Sequence, residues 1–148
     1  MIACNQIKIK CFNFTNILFH DFLIGKRVGS FMNTIADQSE IEKSKSHIVV
    51  EIIEYLPNAV VTKTIIKKLT GNVTVSSVDA GEELAEKSLP FDTYIQIIDG
   101  NAELVINKKV FSLKLGDGII IPAHAKHNFN AREQFKMIST VIKSGYEE

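Results

Sequence analysis

Cysteine is scarce in this chain, and its two cysteines, Cys4 and Cys11, both lie near the N-terminus. The rest of the chain contains none, so no framework of disulfides holds that part together. A fold that needs no disulfide suits a reducing compartment. We therefore expect a cytoplasmic protein, and a single chain of this length can bury a substantial hydrophobic core.

An excess of one charge sign is also missing, because 17 Lys and Arg residues balance 17 Asp and Glu residues. The balance hides a division: residues 1–31 hold four basic residues and one acidic residue, which gives +3 and leaves −3 for the remainder. Nucleic-acid binding relies on clustered Lys and Arg side chains that neutralise phosphates. A mildly acidic domain without such a cluster argues against a nucleic-acid partner.

No hydrophobic run is long enough to span a membrane. The most apolar stretch near the N-terminus, residues 12–25, is shorter than the roughly 20 residues of a transmembrane helix, and His20 and Asp21 interrupt it. No small-residue cleavage site follows, as a signal peptide would require. A Ser-His-Asp set, a phosphate-cradling glycine loop and a Cys-x-x-Cys pair are missing as well. We expect no membrane partner and none of these enzyme classes.

The chain consists instead of short apolar segments, many of them β-branched, with turn residues between them. The segments are residues 48–56, 60–69, 73–78, 94–98, 102–106, 110–115, 119–121, 126–130 and 135–143. Gly, Asn, Asp or Pro separates most of them, and no sustained helical period follows residue 48. The pattern predicts an all-β sandwich or barrel of about nine strands. The acidic run of Glu82, Glu83 and Glu86 is expected to be a solvated loop.

The chain changes character near Met32. Residues 1–31 show no clear strand or helix period, and residues 33–46 are polar and are expected to form a linker or a short helix. We therefore expect residues 1–47 to be a poorly ordered N-terminal extension, with Met32 a plausible natural start, and residues 48–148 to form the barrel. The alternative is an N-terminal arm that packs on the barrel or on a partner.

Several strands are apolar on both faces. In the fourth segment, alternation places on one side Thr93, Ile95 and Ile97, and on the other Tyr94, Gln96 and Ile98. A sheet with two hydrophobic faces needs a second covering layer outside the barrel. A second copy of the chain is the economical choice, so a homodimer is expected. Cover from the N-terminal arm is the alternative.

Two segments carry a recognisable arrangement of residues. The first begins at Gly81, ends at Gly100 and holds between them Lys87, Leu89 and Thr93; the second begins at Gly116 and holds Pro122, Ala123, His124 and His127. Their spacing resembles the two cupin motifs. About two-thirds of the chain, residues 48–144, is similar to small stand-alone bacterial cupins of the cupin 2, RmlC-like kind. The resemblance implies a single double-stranded β-helix, or jelly-roll, barrel.

The resemblance also implies a metal site of three His residues and one carboxylate inside the barrel. Here Lys87, Leu89 and Thr93 stand where the first motif has His, His and Glu, and His127 alone keeps the expected ligand. One imidazole rarely holds a transition metal, so no cofactor is expected. The alternative is a rebuilt site in which His124 and His127 bind Fe, Mn, Ni, Cu or Zn. A structural role for His124 is favoured over it, because the motif has Gly at this turn position and His tolerates left-handed backbone.

Lys87 suggests a different chemistry. If its ammonium points inward, Lys87, Thr93 and His127 together could bind the carboxylate or phosphate of a small ligand. The alternative is that Lys87 extends to the barrel mouth or pairs with a nearby acid such as Glu86. The favoured hypothesis is a binder of a small, anionic molecule without a full metal site. The alternatives are a metal-dependent oxygenase or isomerase, and an accessory or regulatory interaction protein.

Overall fold

The structure is a computed structural model that describes residues 33–145. Within that range the regular elements are ten β-strands and one 3-10 turn (Val49–Glu51), with no α-helix. The strands are β1 (Asn33–Asp37), β2 (Ala59–Lys68), β3 (Gly71–Val78), β4 (Glu83–Lys87), β5 (Thr93–Gly100), β6 (Ala102–Ile106), β7 (Lys109–Leu113), β8 (Gly118–Ile121), β9 (His127–Asn130) and β10 (Phe135–Ile142). The expectations about residues 1–31 and Met32 lie outside the described residues.

The strands form two sheets. The larger sheet has the order β1-β2-β3-β10-β5-β8, and the smaller sheet has the order β4-β9-β6-β7. The pairing of β1 with β2 is parallel, and the other pairings between described strands are antiparallel. Strands that are distant in sequence, such as β3 and β10, are neighbours in the sheet, as in a jelly roll. The predicted all-β class is confirmed. No helix in residues 33–145 has the length and apolarity to cross a membrane.

The hydrophobic core lies between the two sheets, and alternation along the strands builds it. Strand β5 buries every second residue, namely Thr93, Ile95 and Ile97, as the sequence predicts, and β6 does the same with Ala102, Leu104 and Ile106. Phe129 from the smaller sheet and Phe135 from the larger sheet bring their ring centroids within 5.9 Å. The two sheets are therefore joined by direct side-chain packing.

The prediction of a strand over residues 48–56 is wrong, because this segment forms the 3-10 turn and an irregular stretch with Ile53 buried. Its polar groups bond to side chains of the larger sheet instead of to a strand ladder. The hydrogen bonds run from Lys136 Nζ to the Val50 carbonyl (2.7 Å), from Ser77 Oγ to the Glu54 carbonyl (2.7 Å) and from the Tyr55 hydroxyl to Asp99 Oδ2 (2.9 Å). An apolar segment thus covers part of the sheet's outer face.

Two polar segments are strands where the sequence predicts none. Residues 33–37, expected in a linker or helix, form β1, and Glu40 just beyond it accepts a hydrogen bond from the Lys67 backbone N–H at 2.7 Å. The acidic run expected to be a loop contributes to β4, which pairs with β9. Leu84 of β4 packs against the core while its neighbours stay exposed. Pairing with a neighbouring strand decides these segments, because their own side chains favour strands only weakly.

Candidate functional site

A cavity of about 170 Å³ lies between the two sheets. The larger sheet contributes five hydroxyl side chains, which we call the hydroxyl wall: Thr62, Thr74, Ser76, Thr93 and Ser139. The smaller sheet contributes Lys87 from β4 and His127 from β9. The volume is below the roughly 300–1,000 Å³ typical of pockets for drug-sized ligands, so a small molecule fits it best.

The hydroxyl wall follows from strand register. Thr62 of β2 stands opposite Ser76 of β3, and Thr74 stands opposite Ser139 of β10. Thr62 Oγ1 and Ser76 Oγ share a hydrogen bond of 2.9 Å. Four of the five residues, all except Thr93, were missed in the sequence. The available signal was the two-residue spacing that continues the inward face of each strand.

Thr93 is the buried residue of the wall whose hydroxyl lacks a partner among the described residues. Its side chain is 3% exposed, and Oγ1 has no hydrogen-bond partner among residues 33–145. A buried polar group left unpaired costs about 1–3 kcal/mol, so most such groups in proteins are bonded. Because Thr93 lines the cavity, its hydroxyl is a candidate contact for a molecule held in that volume.

His127 is held by its own backbone neighbourhood. The side chain is 7% exposed, and Nδ1 lies 3.1 Å from the Ala125 carbonyl oxygen. A carbonyl oxygen only accepts hydrogen bonds, so Nδ1 carries the proton in this contact. In the neutral ring Nε2 is then the acceptor. In this neutral tautomer Nε2 offers a lone pair, which suits a hydroxyl donor on a ligand.

Lys87 ends β4, and its register partner across the smaller sheet is His127. The side chain is exposed and also lines the cavity, which places it at the mouth. Its neighbour Glu86 pairs with Lys126 at 3.6 Å, and no ion pair within the described part of the chain involves Lys87. The lining residues include no carboxylate, so Lys87 is the one charged group on the cavity wall that the structure describes.

The residues at the cupin metal positions do come together, because Lys87, Leu89, Thr93 and His127 all line the cavity. They do not fit a metal ion, since the set provides one imidazole, no carboxylate and a competing positive charge. Across the described range, no group of three or more His, Cys, Asp or Glu residues could hold a metal.

His124 does not line this cavity. It is exposed, its φ of 64° is left-handed, and its backbone N–H donates to the Leu89 carbonyl at 2.6 Å. These features agree with the interpretation of His124 as a turn residue. The rebuilt metal site would need His124 beside His127 in the cavity, and the structure does not bring them together there.

Solved structures resemble this fold closely. A conserved protein of unknown function from Streptococcus pyogenes is 28% identical with a TM-score of 0.67, and the match covers 76% of this chain and 96% of that chain. A cupin superfamily protein from Desulfitobacterium hafniense is 21% identical with a TM-score of 0.66, over 70% of this chain and 95% of that chain. A cupin 2 conserved barrel domain protein from Leptotrichia buccalis is 29% identical with a TM-score of 0.62, over 64% and 46%.

No protein-family model and no curated protein matches the chain. The resemblance to small bacterial cupins is nevertheless confirmed by these structural neighbours, and the protein has the cupin jelly-roll fold. Cupin-fold proteins carry many unrelated functions, so the fold by itself does not assign one.

Proposed function

We propose that this protein binds a small anionic molecule in the cavity between its sheets, without a complete metal site. The observation that carries the proposal is the charge of the cavity wall: Lys87 lines it, and no carboxylate of residues 33–145 does. A cation without a fixed counter-charge attracts an anion to the mouth. A cationic ligand would meet repulsion and no compensating group.

Three side chains of the cavity wall contribute different contacts to the ligand. The Lys87 ammonium offers three donors to a carboxylate or phosphate oxygen. Thr93 contributes a buried hydroxyl that has no partner within residues 33–145. His127 contributes the acceptor on Nε2 when its ring is neutral. A ligand that carries both a negative charge and a polar group would satisfy all three.

We also propose that the protein is a cytoplasmic homodimer, with no nucleic-acid or membrane partner. Exposed apolar side chains on the outer face of the larger sheet support the dimer. Tyr94 and Ile120 are register partners on β5 and β8, and they are 40% and 63% exposed. Side chains of this size facing water favour an association surface. Light scattering of the full chain should give the mass of two copies, and a monomer mass at micromolar concentration would contradict this.

The binding proposal is tested by thermal shift with a panel of small carboxylates and phosphates. At least one anion should raise the melting temperature, because a ligand that binds the native state stabilises it. Lys87→Met should weaken the binding of that anion about tenfold or more. In the wild type, raising NaCl from about 0.05 M to about 0.5 M should also weaken its binding. The control is Lys114→Met, which removes an exposed lysine that does not line the cavity. An unchanged shift in Lys87→Met, or no shift with any anion, would contradict the proposal.

Elemental mass spectrometry of untagged protein tests the proposal that the protein binds its ligand without a metal ion. We expect clearly less than one Fe, Mn, Ni, Cu or Zn per chain, also after incubation with these ions, because the lining residues provide a single imidazole. Near-stoichiometric metal would overturn the expectation. It would favour the oxygenase or isomerase alternative, with His127 and His124 as the ligands to examine first.

A further inference from the structure

Resting on the proposed function, we infer that the ligand is a small hydroxy acid. Its carboxylate lies at Lys87, and at least one of its hydroxyl groups is hydrogen-bonded inside the cavity by Thr93 and His127. The proposal assigns the ligand class and makes Thr93 a specificity-determining residue.

The wall chemistry changes between the mouth and the interior. Lys87 is exposed at the mouth, whereas Thr93 and His127 are 3% and 7% exposed. A charged group is stable where its counter-ion and water are available, so the carboxylate belongs at the mouth. Among the described residues, the interior of the cavity offers hydroxyl groups and an imidazole but no Asp, Glu, Lys or Arg side chain. Such a lining suits a neutral polar group of the ligand.

The unpaired hydroxyl of Thr93 distinguishes a hydroxylated ligand from an aliphatic one. An aliphatic chain in the cavity would leave Thr93 Oγ1 buried without a described partner, so the penalty that the unliganded protein already carries would remain. A ligand hydroxyl removes that penalty. It can also donate to Nε2 of His127, since the contact of Nδ1 with Ala125 leaves Nε2 as the acceptor.

The charge of the site favours a carboxylate over a phosphate monoester. A phosphate monoester carries about −1.5 to −2 charges at neutral pH, whereas a carboxylate carries one. Lys87 supplies one positive charge, and no arginine in the described part of the chain lines the cavity. The cavity volume of about 170 Å³ limits the ligand to a short chain.

Isothermal titration calorimetry with matched compounds tests this ligand class. The first set is glycerate, propionate, glycerol and glycerol 3-phosphate; a longer set is gluconate, hexanoate and sorbitol. In at least one set the hydroxy acid should bind about tenfold or more tightly than both the unsubstituted acid and the polyol. Thr93→Val keeps the side-chain shape and removes the hydroxyl. This variant should bind the hydroxy acid only as tightly as it binds the unsubstituted acid. Thr140→Val is the matched control, because Thr140 lies on β10 and does not line the cavity.

The outcomes separate this inference from the proposed function. Equal affinity for propionate and glycerate, with loss of both in Lys87→Met, would overturn the hydroxy acid and leave anion binding intact. Tighter binding of glycerol 3-phosphate than of glycerate would overturn the carboxylate. An unchanged hydroxy acid affinity in Thr93→Val would overturn the role of Thr93. No binding of any compound in either set would overturn the inference, whereas the proposed function falls only if the broader anion panel also fails.

Discussion

The two halves of the interior differ although the same strands build both. The half that we call the packed half contains Val60 of β2, Val78 of β3 and Phe135 of β10, which are register partners and 0–1% exposed. The cavity half begins one inward position further along each strand. Its inward residues on β2, β3 and β10 include Thr62, Thr74, Ser76 and Ser139.

This difference separates the part of the sheet that packs the core from the part that lines the cavity. The ladders of β3 with β2 and with β10 keep their register from one half to the other, whereas the ladder of β10 with β5 shifts between Lys136 and Met137. Apolar side chains in the packed half gain free energy from burial, roughly 25 cal/mol per Å² of apolar surface. Thr and Ser in the cavity half give up part of that gain and provide hydrogen-bonding groups around an open volume.

The outer face of the larger sheet shows the same division. Outside the packed half, the 3-10 turn and the irregular stretch after it lie over the larger sheet. They are hydrogen-bonded to Ser77, Lys136 and Asp99 through Glu54, Val50 and Tyr55, respectively. Outside the cavity half, Tyr94 and Ile120 are exposed. The packed half is thus covered on both sides by the chain's own described residues. Outside the cavity half the cover is incomplete, because Val75 is buried there whereas Tyr94 and Ile120 are not.

The largest effect should come from emptying the packed half. Phe135→Ala should lower the free energy of unfolding by about 3–5 kcal/mol, because a fully buried ring leaves a void that the neighbouring Phe129 cannot fill. Ser139→Ala, on the same strand in the cavity half, should cost less than about 1 kcal/mol. Urea denaturation of both variants measures the difference, and equal losses would show that the two halves do not differ in packing.

A smaller effect of opposite sign should come from the cavity half. Thr93→Val should raise the free energy of unfolding of the unliganded protein, by up to about 1–3 kcal/mol, because it removes a buried hydroxyl that has no partner among residues 33–145. The matched control is Thr62→Val, which breaks the hydrogen bond to Ser76 and should destabilise the protein. The midpoint of urea unfolding measures both. If Thr93→Val destabilises as much as Thr62→Val, the Thr93 hydroxyl is already satisfied in the unliganded protein.

Much of the fold could be predicted from the sequence, because alternation and turn residues are local. The strand in the segment of Ile95 and Ile97 and the class of the fold follow from them. Strands β1 and β4 could not be predicted this way, since their polar residues are strands only through pairing with β2 and β9. The opposite error was made for the apolar residues 48–56, which were predicted to form a strand but cover a sheet from outside. Hydrophobicity alone does not distinguish a covering segment from a strand.

The candidate site was predictable in part. The motif spacing selects Lys87, Thr93 and His127, and the structure places all three on one cavity. Their role in binding stays a prediction. The rest of the hydroxyl wall was missed because a single Thr or Ser in a strand carries no distinctive signal. Only the register that aligns Thr62 with Ser76, and Thr74 with Ser139, turns separate hydroxyl groups into one surface.

The smallest effect concerns the cover of the packed half and depends on pH. Burial and the hydrogen bond to the Asp99 carboxylate raise the pKa of Tyr55 well above its ordinary value. Above about pH 10 the unfolded chain loses this proton while the folded chain keeps it, so the contribution of Tyr55 to stability is complete below that pH and falls as the pH rises. Tyr55→Phe should therefore be less stable than wild type by about 1 kcal/mol at neutral pH. Urea denaturation between about pH 7 and about pH 11 should show this gap narrowing above about pH 10.

The contrasting variant is Tyr94→Phe. Tyr94 lies exposed outside the cavity half, and its hydroxyl makes no hydrogen bond within the described residues. It should change stability at neutral pH by less than about 0.5 kcal/mol. A gap for Tyr55→Phe that stays constant through pH 11 would mean that Tyr55 ionises alike in the folded and unfolded chain. The hydrogen bond to Asp99 would then not hold the cover, which would depend on the hydrogen bonds of Lys136 to Val50 and of Ser77 to Glu54.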